Sequence, residues 1–321
     1  MAQSEKLVFC GTPQFAVPTL EKLVEAGFDI RLVLTRPDRP KGRGLELVAS
    51  PVKQTALRFG LPILQPEKIK QNEELRAKLE EIAPAAIIVV GYGRIIPSWM
   101  LHLPKYGNIN LHASLLPKYR GAAPIQWAIA KGETITGVTT MQLNEGLDTG
   151  DILLQEELAI ADDDTAETVT PRLAAIGADL MLETLLGLEQ NSMKPQPQNN
   201  AEATLAPVLT KEDGRIDFSR TAQEIYDRFR GFQPWPGAFT SFRGRVLNVS
   251  AMRRPILRTS QRLSAAELFV DGEQLFVGCG RSTAIELLEL QPEGKRRISA
   301  RDFLHGYRLQ VGERLGEAAH S

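Results

Sequence analysis

The sequence predicts an α/β fold: an open, mostly parallel Rossmann-like sheet with flanking helices, followed by a smaller β-rich, barrel-like (OB-like) domain. Three observations carry this. Up to about residue 190, short apolar runs such as Leu7-Val8-Phe9-Cys10 alternate with stretches of helical period, the pattern that builds parallel sheets. The run at 85–90 has no polar interruption, as a central strand covered on both faces requires. After about residue 206 the pattern changes to short strand-like runs between Gly-rich turns, as small barrels show.

Each element has its own justification. Residues 7–10 read as the first strand. Thr12 is placed to cap the following helix, with Pro13 at its first position, where a missing N–H costs nothing. Leu20, Leu23 and Val24 give that helix its apolar stripe and Gly27 ends it. Residues 30–35 read as the second strand, 66–83 as a helix, 85–90 as a buried strand and 109–112 as a further strand. A helix follows at 124–130, then a strand at 138–143. The next helix runs from about Thr165 or Thr170 to Leu188 on the stripe Val169, Leu173, Ile176 and Leu180. Pro171 is awkward inside it, so Thr170 is read as its cap, or else a kink is expected there. Residues 191–200 have linker composition. Beyond them, 245–249, 275–277 and 284–288 read as strands, and 222–229 as a helix before Pro234-Trp235-Pro236-Gly237. Trp235 reads as core or hinge packing. The domain boundaries are therefore 1–190, a linker at 191–206, and 207–321.

Composition narrows the function classes. The 321 residues are 43% hydrophobic and 24% charged, which excludes disorder as the main state. No apolar run approaches the ~20 residues of a membrane span. The N-terminus shows no secretory signal, and the two cysteines, Cys10 and Cys279, are no disulfide framework. A cytoplasmic protein is expected. The net charge of −1 hides an asymmetry: residues 1–205 carry 20 Lys/Arg and 25 Asp/Glu, whereas 206–321 carry 18 and 14. The basic second part suits a nucleic-acid partner or is simply a basic surface.

The chemistry concentrates in Gly107-Asn108-Ile109-Asn110-Leu111-His112-Ala113-Ser114-Leu115-Leu116-Pro117. Alternate side chains share a strand face. Ile109 and Leu111 make one face aliphatic, while Asn110 and His112 put an amide beside an imidazole on the other. Polar residues at the carboxyl end of such a strand sit where open α/β sheets bind ligands. The turn Gly146-Leu147-Asp148-Thr149-Gly150-Asp151 can bring a carboxylate to them. Asn110 could donate to an oxyanion. His112 could move a proton near neutral pH, and Asp148 could orient it. No Ser or Cys nucleophile with a partner base is evident, so the trio suits attack by an external amine on an acyl carbon. Arg36, Arg39, Lys41 and Arg43 form a basic loop with one acid, Asp38, kept out of regular structure by two Pro and two Gly.

These residues resemble the folate-dependent formyltransferase family. The resemblance rests on Asn110, His112, Ser114-Leu115-Leu116-Pro117, Arg120-Gly121-Ala122-Ala123-Pro124-Ile125-Gln126 and the Asp148 turn. Phe9-Cys10-Gly11-Thr12-Pro13, the 37–44 loop, Lys211-Glu212-Asp213-Gly214-Arg215-Ile216-Asp217, Pro234-Trp235-Pro236 and Leu290-Gln291-Pro292-Glu293-Gly294-Lys295 extend it along nearly the whole chain. The resemblance implies 10-formyltetrahydrofolate as donor, no metal, and the α-amino group of methionyl initiator tRNA as acceptor. It makes Asn110, His112 and Asp148 catalytic and lets Ser114, Leu115, Leu116 and Pro117 line the folate pocket. It sends Arg36, Arg39, Lys41 and Arg43 to the tRNA, with Arg43 best matched to the end of the acceptor stem. It makes 1–190 the catalytic domain and 207–321 the tRNA-binding domain of a monomer. Other members acting on sugar-nucleotide or glycinamide-type amines, or hydrolysing the donor, are the alternatives.

Readings outside the family fare worse. A dinucleotide enzyme would want Gly-x-Gly-x-x-Gly after the first strand, and Gly11-Thr12-Pro13 breaks it. The four histidines, His102, His112, His305 and His320, lack metal-ligand spacing. A non-catalytic RNA-binding protein would leave the Asn/His/Asp trio unexplained.

Overall fold

The computed structural model describes residues 5–41, 46–255 and 264–316. The chain forms two compact units, one of residues 1–124, 135–159 and 170–207, the other of 125–134, 160–169 and 208–321.

The first unit opens with β1 (Lys6–Gly11), α1 (Val17–Glu25), β2 (Asp29–Leu34), β3 (Arg39–Lys41), β4 (Glu46–Val48), α2 (Pro51–Arg58) and β5 (Ile63–Leu64). It continues through α3 (Glu73–Ile82), β6 (Ala86–Val90), α4 (Ser98–Leu101), β7 (Asn108–His112) and β8 (Arg120–Gly121). Helix α5 (Pro124–Ala130), which after its first residue belongs to the second unit, leads to β9 (Ile135–Gln142), β10 (Ile152–Ala159), the long helix α6 (Ala166–Glu189), whose first four residues also belong to the second unit, and β11 (Leu205–Ala206). Seven strands make one sheet in the order β10-β9-β7-β6-β1-β2-β5. Pairing is parallel from β5 to β7. Strand β9 is antiparallel to β7, and β10 to β9. The mostly parallel sheet read from the sequence is present, with an antiparallel pair at one edge. Both β6 and β7 are buried along their whole length. Val8, Leu32, Ile87 and Val89 pack with Leu75 and Leu79 of α3. Each such side chain contributes roughly 1.5–3 kcal/mol by leaving water, so the strand carrying Asn110 and His112 sits in a rigid frame.

Four local readings are corrected. Thr12 caps no helix: a 3₁₀ turn at Gln14–Ala16 precedes α1, and the Thr12 hydroxyl instead donates to the Tyr92 carbonyl. That contact ties the turn after β1 to the turn after β6. Helix α3 begins only at Glu73, where Asn72 caps it by accepting from Leu75 N–H. Helix α6 begins at Ala166, directly after Thr165 and not after the alternative cap Thr170, and passes through Pro171. The Thr165 hydroxyl accepts from Thr168 N–H at its start. Pro171 stands close enough to that end that one carbonyl, that of Glu167, is left without its i+4 donor. The basic loop is partly regular, since Arg39–Lys41 pairs antiparallel with Glu46–Val48.

The second unit contains α7 (Ala222–Gly231), β12 (Ala238–Phe242), β13 (Arg245–Met252), β14 (Leu268–Asp271), β15 (Gln274–Cys279), β16 (Thr283–Pro292), β17 (Ile298–Ser299) and α8 (Ala300–Tyr307). Its sheet runs β12-β13-β16-β15-β14, with β17 on β16, and is antiparallel throughout. Residues 313–316 span its two edges. Leu268 N–H donates to the Glu313 carbonyl, Leu315 N–H to Ala266 and Gly316 N–H to Ser241. This is how the sheet becomes barrel-like without β12 meeting β14. Its core joins Leu247, Val249, Leu275, Val277, Ile285 and Leu287 to Ile225 of α7 and Phe303 of α8. A capping box of Thr221 and Glu224 starts α7. Trp235 is 55% exposed, against the reading as core packing: it sits in a turn segment between α7 and β12 with prolines on both sides. Among the described residues, no helix is long and apolar enough to cross a membrane.

Candidate active site

Strand β7 places the site. Ile109 and Leu111 are buried on one face, where Leu111 packs so tightly on α6 that a Cβ on Gly177 would lie 2.6 Å from it. Asn110 and His112 occupy the other face and are 8% and 6% exposed. Their backbones are fixed by register, Asn110 opposite Met141 and His112 opposite Thr139 on β9.

The imidazole is hydrogen-bonded at one nitrogen and faces a carboxylate with the other. Nε2 lies 2.9 Å from the Tyr119 carbonyl. A carbonyl only accepts, so the hydrogen-bond geometry assigns the proton to Nε2. Nδ1 faces Asp148 Oδ2 at 3.7 Å. That same oxygen accepts from Gly121 N–H at 2.8 Å. Gly121 has φ +127°, and a Cβ there would stand 2.5 Å from the Ala206 carbonyl. Only glycine lets β11 pass this close while its own N–H points at the carboxylate.

Asp148 reaches this place by a detour. Because β9 is antiparallel, its last residue, Gln142, lies opposite Ile109 rather than His112. The loop after it has to return. It is built tightly: Asn144 Oδ1 accepts from Gly146 N–H and from Thr149 Oγ1. A Cβ on Gly150 would lie 1.6 Å from the Gln142 carbonyl. Asp148 itself is left-handed at φ +50°, which Asp tolerates better than most residues.

Residues 5–185 match the formyl transferase family and residues 208–308 the formyl transferase C-terminal domain. The chain is 62% identical over 310 residues to the methionyl-tRNA formyltransferase of Koribacter versatilis (strain Ellin345), spanning 97% of this chain and 98% of that one. It is 61% identical over 311 residues to the methionyl-tRNA formyltransferase of Acidobacterium capsulatum, again over 97% of this chain and 99% of the other. The chain belongs to the methionyl-tRNA formyltransferase family. Among solved structures, the sugar 3N-formyl transferase WlaRD, crystallised with dTDP and 5-N-formyl-THF, superposes with a TM-score of 0.65 at 18% identity. That match covers 92% of this chain and 100% of WlaRD, and a likeness at this identity speaks for the fold.

In this formyltransferase the loop after β7 is wired to β9 and β10. Ser114 Oγ donates to the Lys118 carbonyl at 2.6 Å. Thr139 Oγ1 donates to the Ser114 carbonyl at 2.6 Å and accepts from Leu116 N–H at 3.1 Å. Gln155 Nε2 lies 2.9 Å from both the Leu116 carbonyl and Thr139 Oγ1. The Leu116-Pro117 peptide is cis. Of the four residues read as lining a folate pocket, Ser114 and Leu116 have buried side chains, whereas Leu115 and Pro117 are partly exposed.

The basic loop stands on Asp38. Lys53 Nζ and Gln65 Nε2 reach its carboxylate at 2.6 and 2.7 Å, and these bonds hold the Asp38 carboxyl below the usual carboxylate range. Gln65 also donates to the Arg36 carbonyl at 2.8 Å. Arg36 is partly buried and Arg39 exposed. Arg43 and the side chain of Lys41 lie outside the described residues. Among the described residues no cluster of three or more His, Cys, Asp or Glu could hold a metal. Burial pushes the Cys279 thiol up to about 12 and the Cys10 thiol higher still, so both cysteines are neutral and inert rather than nucleophiles.

Sequence reading brought together Asn110, His112 and Asp148, which the structure places side by side. It missed Tyr119, Thr139, Gln155 and Gln198, which act through a carbonyl, a hydroxyl and carboxamides with no motif of their own, and it gave Gly121, though part of the 120–126 motif, no role. A single signal was available: Gly121 lies between His112 and Asp148 in sequence and Gly150 two residues after Asp148, and glycines there mark close backbone approach.

Proposed function

We propose that this chain transfers the formyl group of 10-formyltetrahydrofolate to the α-amino group of methionyl initiator tRNA, giving formylmethionyl-tRNA. The observation that carries the chemistry is the Nδ1···Oδ2 contact of 3.7 Å between His112 and Asp148, one face-neighbour from Asn110. The amine nitrogen bonds to the formyl carbon and the C=O pair moves onto oxygen. Asn110 donates to that oxyanion, the contribution such donors make to acyl transfer, and protonated His112, with Nε2 on the Tyr119 carbonyl and Nδ1 toward Asp148, stabilises it through its charge. Asp148 accepts the proton that the amine loses. Collapse breaks the bond to N10, which takes up the proton that the amine gave to Asp148, and tetrahydrofolate leaves.

In this reading residues 1–190 carry the donor site. Leu115 and Pro117 present side chains to the folate, while Ser114 and Leu116 shape the loop from inside. Arg36, Arg39, Lys41 and Arg43 take the phosphates of the acceptor end, for which guanidinium forks are suited. Residues 207–321 hold the tRNA body. There Arg215, Arg220 and Arg228 line one cleft of the second unit beside Asp213 and Asp217, and Trp235 stands exposed nearby in sequence.

The test is to supply the purified protein with 10-formyltetrahydrofolate and methionyl initiator tRNA and to measure formylmethionine, with methionyl elongator tRNA and free methionine as controls. Formylation confined to the initiator is the expected result. Folate-dependent formate release, or transfer to a small amine alone, would move the acceptor to another branch of the family.

A further inference from the structure

Residues 191–206, whose composition reads as a linker, belong to the first compact unit and close on the active site. Gln198 is the centre of this closure. Its Nε2 donates to the Asp148 carbonyl at 2.9 Å and to the Gly150 carbonyl at 2.7 Å. Its Oε1 accepts from Arg120 Nε at 3.0 Å and Nη2 at 2.7 Å. Arg120 Nη2 also donates to Asn200 Oδ1 at 2.8 Å, and the arginine is 7% exposed. The backbone on either side is pinned as well. Arg120 N–H donates to the Thr204 carbonyl and Tyr119 N–H to the Thr204 hydroxyl. One carboxamide thus joins the two loops that set the His112–Asp148 geometry. The 119–121 loop carries the carbonyl that orients the imidazole and the N–H that binds the carboxylate. The 144–151 loop carries the carboxylate.

A grip of this kind is needed because Asp148 holds a left-handed backbone at the end of a loop that has to double back along the sheet. Its own side chain contacts Gly121 and His112 through a single oxygen. Two carbonyl contacts from Gln198, at Asp148 and two residues later at Gly150, fix the peptide planes on which the direction of that side chain depends.

We propose that Gln198 is a positioning residue for formyl transfer: it holds the Asp148 carboxylate against His112 through the carbonyls of Asp148 and Gly150, and Arg120 holds Gln198. The inference rests on the Asn110/His112/Asp148 reading given above. Both ends of the Gln198 carboxamide are engaged by protein groups, Nε2 by the Asp148 and Gly150 carbonyls and Oε1 by Arg120, so its loss is expected on kcat with both KM values in place.

The variant that isolates the grip is Gln198→Glu in the full chain. It retains an oxygen for Arg120 but loses both donors and turns a carboxylate oxygen toward two carbonyls. Single-turnover and steady-state rates would be measured with 10-formyltetrahydrofolate and methionyl initiator tRNA, together with the thermal midpoint, in the wild-type and Asp148→Asn backgrounds. The expected loss in kcat is about 10- to 100-fold, the scale of a small misplacement of a catalytic group, with KM for each substrate within about twofold. On Asp148→Asn the same substitution should cost less than about threefold, because no carboxylate remains to be placed. A Gln198→Glu enzyme within about twofold of wild type, a loss confined to KM, or a full additive loss on Asp148→Asn would each overturn the proposal. If Gln198→Glu does not fold, Arg120→Lys reads the same link, since it keeps the charge and loses the fork on Gln198, and the same criteria apply. An unimpaired Asp148→Asn enzyme would overturn the reading of the site and this inference with it. An impaired Asp148→Asn beside an unimpaired Gln198→Glu would remove the positioning role alone.

Discussion

Asp148→Asn is the sharpest probe of the site because it changes charge and little else. An asparagine Oδ1 can still accept from Gly121 N–H, as Asp148 Oδ2 does at 2.8 Å, and asparagine is as much at home in the left-handed region as aspartate. What disappears is a full negative charge 3.7 Å from His112 Nδ1. Coulomb's law at that separation gives about 4 kcal/mol for an effective dielectric of about 20, and about 1 kcal/mol in water. The side chains are 6% and 15% exposed, which places the pair nearer the first value. If 2–4 kcal/mol of this is felt only when His112 is charged in the transition state, turnover falls roughly 30- to 1,000-fold. The assay is single-turnover formylation of methionyl initiator tRNA, with the thermal midpoint as control. Asp148→Ala serves as a second arm, since it also orphans the Gly121 N–H and should cost a further ~1–3 kcal/mol of stability. An Asp148→Asn enzyme within about threefold of wild type, at unchanged midpoint, would refute the assignment of Asp148 to the chemistry.

Asn110→Ala should lose ~10²–10³-fold in kcat as an oxyanion donor and fold normally, because β7 is held by its aliphatic face; near-normal turnover would remove the oxyanion role. Neither cysteine should react with a thiol reagent in the native protein, since burial keeps Cys10 neutral and pushes Cys279 up to about 12, whereas both should react after unfolding; rapid native labelling would contradict the buried placement. Glu313→Gln tests the segment that spans the sheet edges of the second unit. Hydrogen bonding to Arg243 lowers the Glu313 pKa, so its stabilisation is present above the unfolded carboxyl pKa of about 4.3 and is lost as pH falls through the lower folded value. The wild type should exceed the variant by no more than about 1 kcal/mol at pH 7, with the gap in thermal midpoint closing at acid pH. A gap that widens on acidification would reverse the sign of the argument.

Much of the fold was legible because burial and periodicity are local. The run at 85–90 reads as a central strand, and β6 occupies 86–90 with every residue buried. The alternation at 109–112 sorts Ile109 and Leu111 from Asn110 and His112, and β7 keeps that sorting. Elements were missed where tertiary contact decides. Thr12 has a capping residue's chemistry, but its hydroxyl donates to the Tyr92 carbonyl and accepts from Arg36 N–H, partners 80 and 24 positions away. Pro171 breaks helices in isolation, yet α6 buries Val169, Leu173, Leu180, Met181 and Leu185, and that apolar burial outweighs one missing hydrogen bond. The edge strands β12 and β14 and the eight-residue helix α8 are too short to announce themselves. The segment at 191–206 shows the limit most clearly. Its Gln, Asn and Pro content is that of a flexible connector, and nothing in composition says that the Gln198 carboxamide meets two carbonyls and a buried guanidinium.

The two halves of the proposed chemistry have different mechanical supports. Asn110 and the His112 backbone belong to a strand paired on both sides, so the oxyanion donor Asn110 and the place of the imidazole charge are as rigid as the sheet. The carboxylate belongs to a loop, fixed by Gly121 at its oxygen and by Gln198 at its backbone. With Nε2 committed to the Tyr119 carbonyl, Nδ1 is the one ring nitrogen whose proton can change, and it points at Asp148. Proton movement in the proposed transfer therefore runs through the adjustable side of the site, and oxyanion stabilisation through the rigid side. A reaction in which amine attack and proton loss need not be simultaneous is served by that division: the strand holds the geometry of attack while the loop follows the proton.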